Sequence, residues 1–335
     1  SILYLQKKIH SHKIYPRMNK VCILVICMVS LLLLPLKGVA QESQTAYNFL
    51  RLPVSARAAA VGGDGIALIE DDASLIFHNP ALLSSVSDKQ LALNFMTYMA
   101  GSTTASASFN QAVGERATWA VSGQFMNYGT MKQTDASGQQ TGDFSAKDIA
   151  MAGYFSYMLS DRIAGGVTAK VVSSFIGDYS SWGVAFDLGV NYYDPESEFS
   201  ASIVAKNLGG QTKAYEEDYD ALPFDLQVGI SKKISHTPFR ISLTMGDLTH
   251  WNYRFADHFT VGVDATLSQS MWIAAGYNIR RSHEMNINDA EGGSSHMAGL
   301  SLGAGVSLNR LKLSLAYGKY HVSSSSIMGN VAFSL

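Results

Sequence analysis

Beyond residue 40 the chain has no cysteine; its only two, Cys22 and Cys27, fall inside an apolar N-terminal stretch. Disulfides and zinc–thiolate centres are thereby excluded from the remainder. There is no basic surplus, 25 Lys and Arg standing against 27 Asp and Glu, so nothing marks a nucleic-acid partner. After Gln41 no stretch reaches the roughly 18 apolar residues that a helical membrane span needs. No Ser-x-x-Lys motif occurs, and no nucleophile elbow is expected. The glycines of Gly62-Gly63-Asp64-Gly65 do not make a phosphate loop, because no strand precedes them and no Gly-Lys-Ser/Thr follows. The expectation is a protein that is not an enzyme and that holds no cofactor and no metal.

What is present begins with a leader. Met18-Asn19-Lys20 reads as a start, 21–34 is a nearly continuous apolar run, and Gly38-Val39-Ala40 supplies the small residues that signal peptidase needs before Gln41. Residues 1–40 are accordingly set aside as upstream extension and signal peptide. Neither cysteine follows the small residue of a lipoprotein cleavage site, since Ile26 precedes Cys27.

From residue 90 onward the dominant pattern has period two. In 181–193, Trp182, Val184, Phe186, Leu188, Val190 and Tyr192 alternate with small or polar residues. A strand points successive side chains to opposite faces, so one face is apolar and the other is not. The pattern predicts about fourteen strands, near 90–99, 103–110, 116–128, 148–159, 162–175, 181–193, 198–206, 223–233, 238–245, 258–267, 271–281, 297–308, 311–319 and 327–335. Short connections (111–115, 160–161, 194–197, 234–237, 268–270, 309–310) alternate with longer ones, notably 129–147, 207–222, 246–257 and 282–296. Short turns at one end and long loops at the other characterise outer-membrane barrels. The fold class expected is all-β, a transmembrane antiparallel barrel of about 14 strands over 90–335, located in the outer membrane and contacting its lipid bilayer.

Charge supports the assignment of faces. The mid-strand charges Lys170, Asp187, Arg240 and Asp264 fall on the parity opposite to the large apolar residues, and so point to the lumen. Register sets Lys170 roughly across from Asp187 and Arg240 near Asp264, so bridges between neighbouring strands are expected. Trp119, Trp182 and Trp272, with Tyr98, Tyr128, Tyr192 and Tyr193, lie near strand ends, where aromatic girdles meet the membrane interfaces. Segment 41–89 does not alternate. It is rich in Ala and Gly, with short helical stretches at 55–61 and 71–78, and is too small to hold its own core. It is expected to fold into the barrel as a small helical or irregular N-terminal plug.

Within that segment, Tyr47-Asn48-Phe49-Leu50-Arg51-Leu52-Pro53, Ser55-Ala56-Arg57, Gly62-Gly63, Asp71-Asp72 and Asn79-Pro80-Ala81-Leu82-Leu83 resemble the N-terminal segment of the PorQ family of the type IX secretion system in Bacteroidetes. The general scheme is also similar to wider FadL-like barrels, including PorV. The plug motif carried over comprises Arg57, Asp71, Asp72, Asn79 and Pro80. The resemblance implies a place in an attachment complex, where the family holds the surface protein PorZ beside the sortase PorU and the shuttle PorV. There, cargo proteins are joined to anionic lipopolysaccharide. Two other readings stay open: a FadL-like channel for hydrophobic small molecules, and a PorV-like cargo shuttle.

Remaining candidates are few. Glu70-Asp71-Asp72 fits either a calcium ligand set or a helix cap before Ala73 with an ion pair to Arg57. His78, His283 and His296 lack ligand spacing. Loop 207–222 carries an acidic and aromatic cluster, Tyr215, Glu216, Glu217, Asp218, Tyr219 and Asp220, and is the candidate partner-binding loop. Tyr215 and Tyr219 are its expected anchors, because aromatic residues are enriched in interface cores.

Overall fold

The computed structural model describes residues 45–135, 137–285, 298–321 and 324–335. The leader, residues 41–44 and His296 lie outside them. The chain divides into 1–42 and a second unit, 43–335, which holds the barrel and its plug.

Fourteen antiparallel strands close into a barrel, each pairing with its sequence neighbours and the first with the last. They are β1 (Gln90–Thr97), β2 (Thr103–Val113), β3 (Ala117–Thr134), β4 (Gln140–Ser160), β5 (Ile163–Ile176), β6 (Tyr179–Asp194) and β7 (Phe199–Lys213). The rest are β8 (Asp225–Lys233), β9 (Phe239–Met245), β10 (Phe259–Ser268), β11 (Met271–Asn278), β12 (Leu300–Leu308), β13 (Leu311–His321) and β14 (Ser324–Ser334). Gln90 pairs with Ser334, so both ends of the barrel segment stand at the short-turn end, periplasmic in barrels of this kind.

The alternation is inside-out relative to a soluble fold. On β6, Ser181, Ala185, Asp187, Gly189 and Asn191 are buried, whereas Trp182, Val184 and Phe186 are exposed. Around the wall Phe95, Met151, Phe155 and Leu315 are likewise about half or more exposed. An apolar band of that extent is stable only against hydrocarbon. Among the described residues no helix is long and apolar enough to cross a membrane, so the strands do the crossing.

Several loops expected from the sequence are strand. The 129–147 connection is a ribbon in which β3 and β4 continue past the barrel, leaving only a turn at 135–139, and β7 runs on through Lys213. Residues 130–135 and 137–141 are exposed on both faces of that ribbon. With water on both sides nothing demands an apolar face, so the periodicity vanishes although the main-chain pairing persists.

Plug residues fill the lumen from one end to the other. At the long-loop end Thr45 bridges to Ala221, and Tyr47, Phe49 and Leu50 pack against Met126, Val172 and Leu222. The short helix Ala56–Ala60 then crosses to Met96, Ala274, Ala316 and Met328. The 3₁₀ turns Ala73–Phe77 and Pro80–Ser85 complete the descent against Ala92, Ala120 and Tyr154 before β1 begins. The wall accepts this backbone because its inner face is small. A Cβ at Gly276 would stand 2.1 Å from the Val61 carbonyl carbon, and one at Gly166 would stand 2.3 Å from that of Pro80.

Candidate functional site

The plug is fastened to the wall by buried charge. Arg240 and Asp264 are direct partners in the β9–β10 register, and Arg240 Nε donates to Asp264 Oδ2 at 3.0 Å. Arg57, on the plug helix, reaches into the same pair: its Nη2 donates to Asp264 Oδ1 at 2.8 Å and to Glu70 at 2.9 Å. Glu70 also binds Arg240. Two guanidinium groups and two carboxylates thus neutralise one another across plug and wall. Nε and Nη1 of Arg57 have no hydrogen-bond partner among the described residues, and the face of Trp272, 3.9 Å from the guanidinium carbon, covers the group instead. Trp272 therefore belongs to the lumen and not to the aromatic girdle expected of it, because its even parity on β11 is the inward one.

Asp71 and Asp72 do different work. Asp72 caps the turn at Ala73–Phe77, accepting from Ser74 N at 2.9 Å. Asp71 accepts from Ser87 N at 2.7 Å and pairs with Lys312 of β13. Asn79 caps the next turn at Ala81 N, and its Nδ2 donates to Ile66 O and Ser202 Oγ. Pro80 occupies the first helical position, where its missing N–H goes unneeded.

Lys170 and Asp187 meet at 2.7 Å, though not as simple opposite residues. Lys170 faces Ala185, and Asp187 faces a bulge at which β6 opposes two residues, Lys206 and Asn207 of β7. Asn207 adopts φ of 59°, and its freed N–H donates to Asp187 Oδ1 at 2.8 Å. Lys170 Nζ donates to Asn207 Oδ1, and Asn207 Nδ2 in turn reaches Pro223 O. The pair closes the bulge and ties down the base of loop 214–224.

In that loop the expected anchors separate. Tyr215 turns inward, its hydroxyl donating to Ser174 Oγ, which itself binds Asp148 beside Tyr128. Tyr219 is 64 % exposed. Glu216, Glu217 and Asp218 are also exposed, with no ion pair among the described residues. Tyr215 is thus committed to the loop's own fold, and Tyr128 to the mouth instead of the girdle. A second loop, 246–258, was legible in sequence only as a long connection. Its Asp247 holds Arg280 and His250. Burial alone would raise the Asp247 carboxyl, but the His250 hydrogen bond and the Arg280 charge outweigh it and hold the group below the usual carboxylate range.

Two cavities with charged side chains in their lining flank the plug. One of about 160 Å³ opens at the outer mouth beside Asp64, Lys206, Asp225 and Arg280. The other, about 180 Å³, lies at the short-turn end beside Arg57, Asp71, Asp72 and Lys312. By contrast, the space bounded by Leu50, Leu52, Val54 and Phe77 is about 20 Å³, room for about one water. No three potential metal-ligating side chains converge among the described residues. Against the expectation of no nucleophile elbow, residues 299–303 do read Gly-x-Ser-x-Gly. The setting is nevertheless wrong for one: Ser301 lies within β12, fully buried, with Oγ accepting from Arg281, and not on the strand-to-helix turn that exposes a nucleophile.

The fold resembles barrels of known structure. A Pseudomonas aeruginosa FadL homologue shares 12 % identity over 84 % of this chain and 99 % of its own, with a TM-score of 0.54. The CymD monoaromatic hydrocarbon channel shares 13 % over 85 % and 98 %, with a TM-score of 0.55. The Pseudomonas putida toluene transporter TodX shares 12 % over 85 % and 98 %, also at 0.55. At such identity the likeness is one of architecture alone. No curated protein matches the sequence. A family model described as type IX secretion system membrane protein PorP/SprF matches residues 73–330, well over half the chain. A closed outer-membrane barrel carrying that match belongs to the PorP/SprF family of type IX secretion system membrane proteins.

Proposed function

We propose that this barrel is a non-catalytic anchor of the secretion system's attachment complex, holding a PorZ-like surface partner beside the sortase PorU and the shuttle PorV. One observation carries the reading: the plug occupies the lumen and is bound to the wall by the Arg57–Glu70–Arg240–Asp264 network. A barrel filled in this way offers other proteins its outer loops, not its interior. The likeness of 47–83 to PorQ-type proteins supports the finer assignment, although most of that segment precedes the matched region. Exposed Tyr219, with Glu216, Glu217 and Asp218, forms the proposed contact.

The competing channel reading draws on the hydrocarbon channels of like fold. Against it stand the charged side chains that line both cavities beside the plug and the unbroken pairing of β2 with β3, eleven pairs from Thr103 to Val113, which leaves no gap for lateral exit there. A larger apolar hollow, between Leu93, Phe95, Leu313, Leu315 and Val331, lies among outward-facing residues of the wall. Affinity capture of the intact barrel from membranes separates the readings. A single stoichiometric surface protein supports the anchor, a mixture of secreted cargo means a shuttle, and bound hydrophobic small molecules alone mean a channel.

A further inference from the structure

Loop 246–258 carries Trp251, Tyr253 and Phe255 at the outer rim between β9 and β10. Trp251 and Phe255 are 58 % and 63 % exposed, yet each is held in place. Their rings lie nearly parallel, 11° apart with centroids at 6.5 Å, and Phe255 meets Phe259 edge-on at 5.2 Å. From below, His258 packs on Trp251 at 4.8 Å, and Arg280 covers Tyr253 at 4.0 Å. Arg280 is itself fixed by Asp247 and Glu284.

Phe259 indicates what covers these rings. It opens β10 on the outward parity of Val261 and Val263, which face lipid. Through Phe255 the stack is therefore continuous with the membrane band of the wall and not only with the mouth. Arg254, between Tyr253 and Phe255 in the chain, is exposed and without an ion pair among the described residues. Aromatic rings favour the boundary between acyl chains and headgroups, and a guanidinium matches phosphate oxygens two at a time.

We propose that residues 251–255 form a binding site for the phosphorylated, acylated glycolipid of the outer leaflet, with Trp251 and Phe255 at the acyl boundary and Arg254 on a headgroup phosphate. The inference rests only on the outer-membrane location and holds whichever proteins the loops bind. Variants retaining one tryptophan each, the other three replaced by Phe, are reconstituted in vesicles of brominated phosphatidylcholine containing lipopolysaccharide. Trp182, on the outward face of β6, serves as the lipid-exposed standard, and Trp272, beneath Arg57 in the lumen, as the shielded one.

Trp251 is expected to be quenched as strongly as Trp182 and several-fold more than Trp272. Quenching of Trp251 by aqueous acrylamide but not by bromine would overturn the proposal and assign the rings to solvent or a protein partner. If the triple replacements fail to assemble, the difference in quenching between the native barrel and Trp251→Phe gives the same reading. Arg254→Glu, still migrating as a heat-modifiable barrel, is expected to copurify with several-fold less lipopolysaccharide phosphate. Unchanged phosphate would remove Arg254 from the site and end the claim of headgroup recognition.

Discussion

Arg57 is the residue that makes plug and wall one structure. It sits 207 positions from Asp264 in sequence, and no local pattern links them. Breaking a buried ion pair on one side costs about 3–5 kcal/mol. Arg57→Ala should fall near the lower end, because Arg240 still answers Asp264; the loss is read as a lower urea midpoint of the heat-modifiable form. Asp187→Leu should be harsher, for it strands Lys170 and the bulge N–H of Asn207 together. Insertion should survive while loop 214–224 becomes sensitive to protease; failure to insert would contradict a purely lumenal role. Parity made Lys170, Asp187, Arg240 and Asp264 legible as inward charges, and the acidic run 70–72 suggested an ion pair to Arg57. That Arg57 and Glu70 both close on Arg240 and Asp264, and that Asn207 joins Lys170 to Asp187, depends on long-range packing and a bulge. Asp247 gives a pH prediction. Its depressed folded value contributes stability above the ordinary carboxylate range near 4 that is lost as pH falls through that lower value. In a single-tryptophan variant, the difference in Trp251 emission between the native loop and its Asp247→Asn form should persist on acidification until the pH falls below the ordinary carboxylate range; loss of that difference near neutrality would contradict the assignment.

Among elements, strands were legible wherever lipid imposes an outward apolar face and illegible beyond the bilayer. The β3–β4 ribbon shows this most plainly, since Met131 to Gln133 and Gly142 to Phe144 pair without alternation. Of the plug's helical pieces, Ala56–Ala60 and Ala73–Phe77 fall in stretches legible as helical, whereas the turns Asn48–Arg51 and Pro80–Ser85 were not legible. Nor was their seat, because it depends on glycines such as Gly276 that the sequence presents only as small residues. Gly276→Val drives a side chain into the Val61–Gly62 backbone, which cannot yield as a flexible side chain would. Overpacking of this kind costs about 1–3 kcal/mol. The variant should displace the plug and conduct ions in planar bilayers where the native barrel does not; equal conductance would show that the plug is not seated there. Replacing 213–221 by a Gly/Ser linker should release the surface partner while the barrel still inserts. Undiminished retention would move the contact to another loop.

At the scale of the whole molecule, the wall supplies location and the plug decides use. A FadL-like shell is shared with hydrocarbon channels, so the shell cannot by itself distinguish anchor from conduit. The distinction lies in whether the plug must move. A covalent lock is feasible, since residues 45–335 contain no cysteine and a Cβ built at Gly229 lies 2.7 Å from Ile66 Cγ1, within disulfide reach. The decisive measurement is secretion and surface attachment by cells whose only copy carries Ile66→Cys and Gly229→Cys, compared under oxidising and reducing conditions. Equal secretion in both states is expected if the barrel serves as a filled anchor; secretion that stops on oxidation and returns on reduction would contradict it.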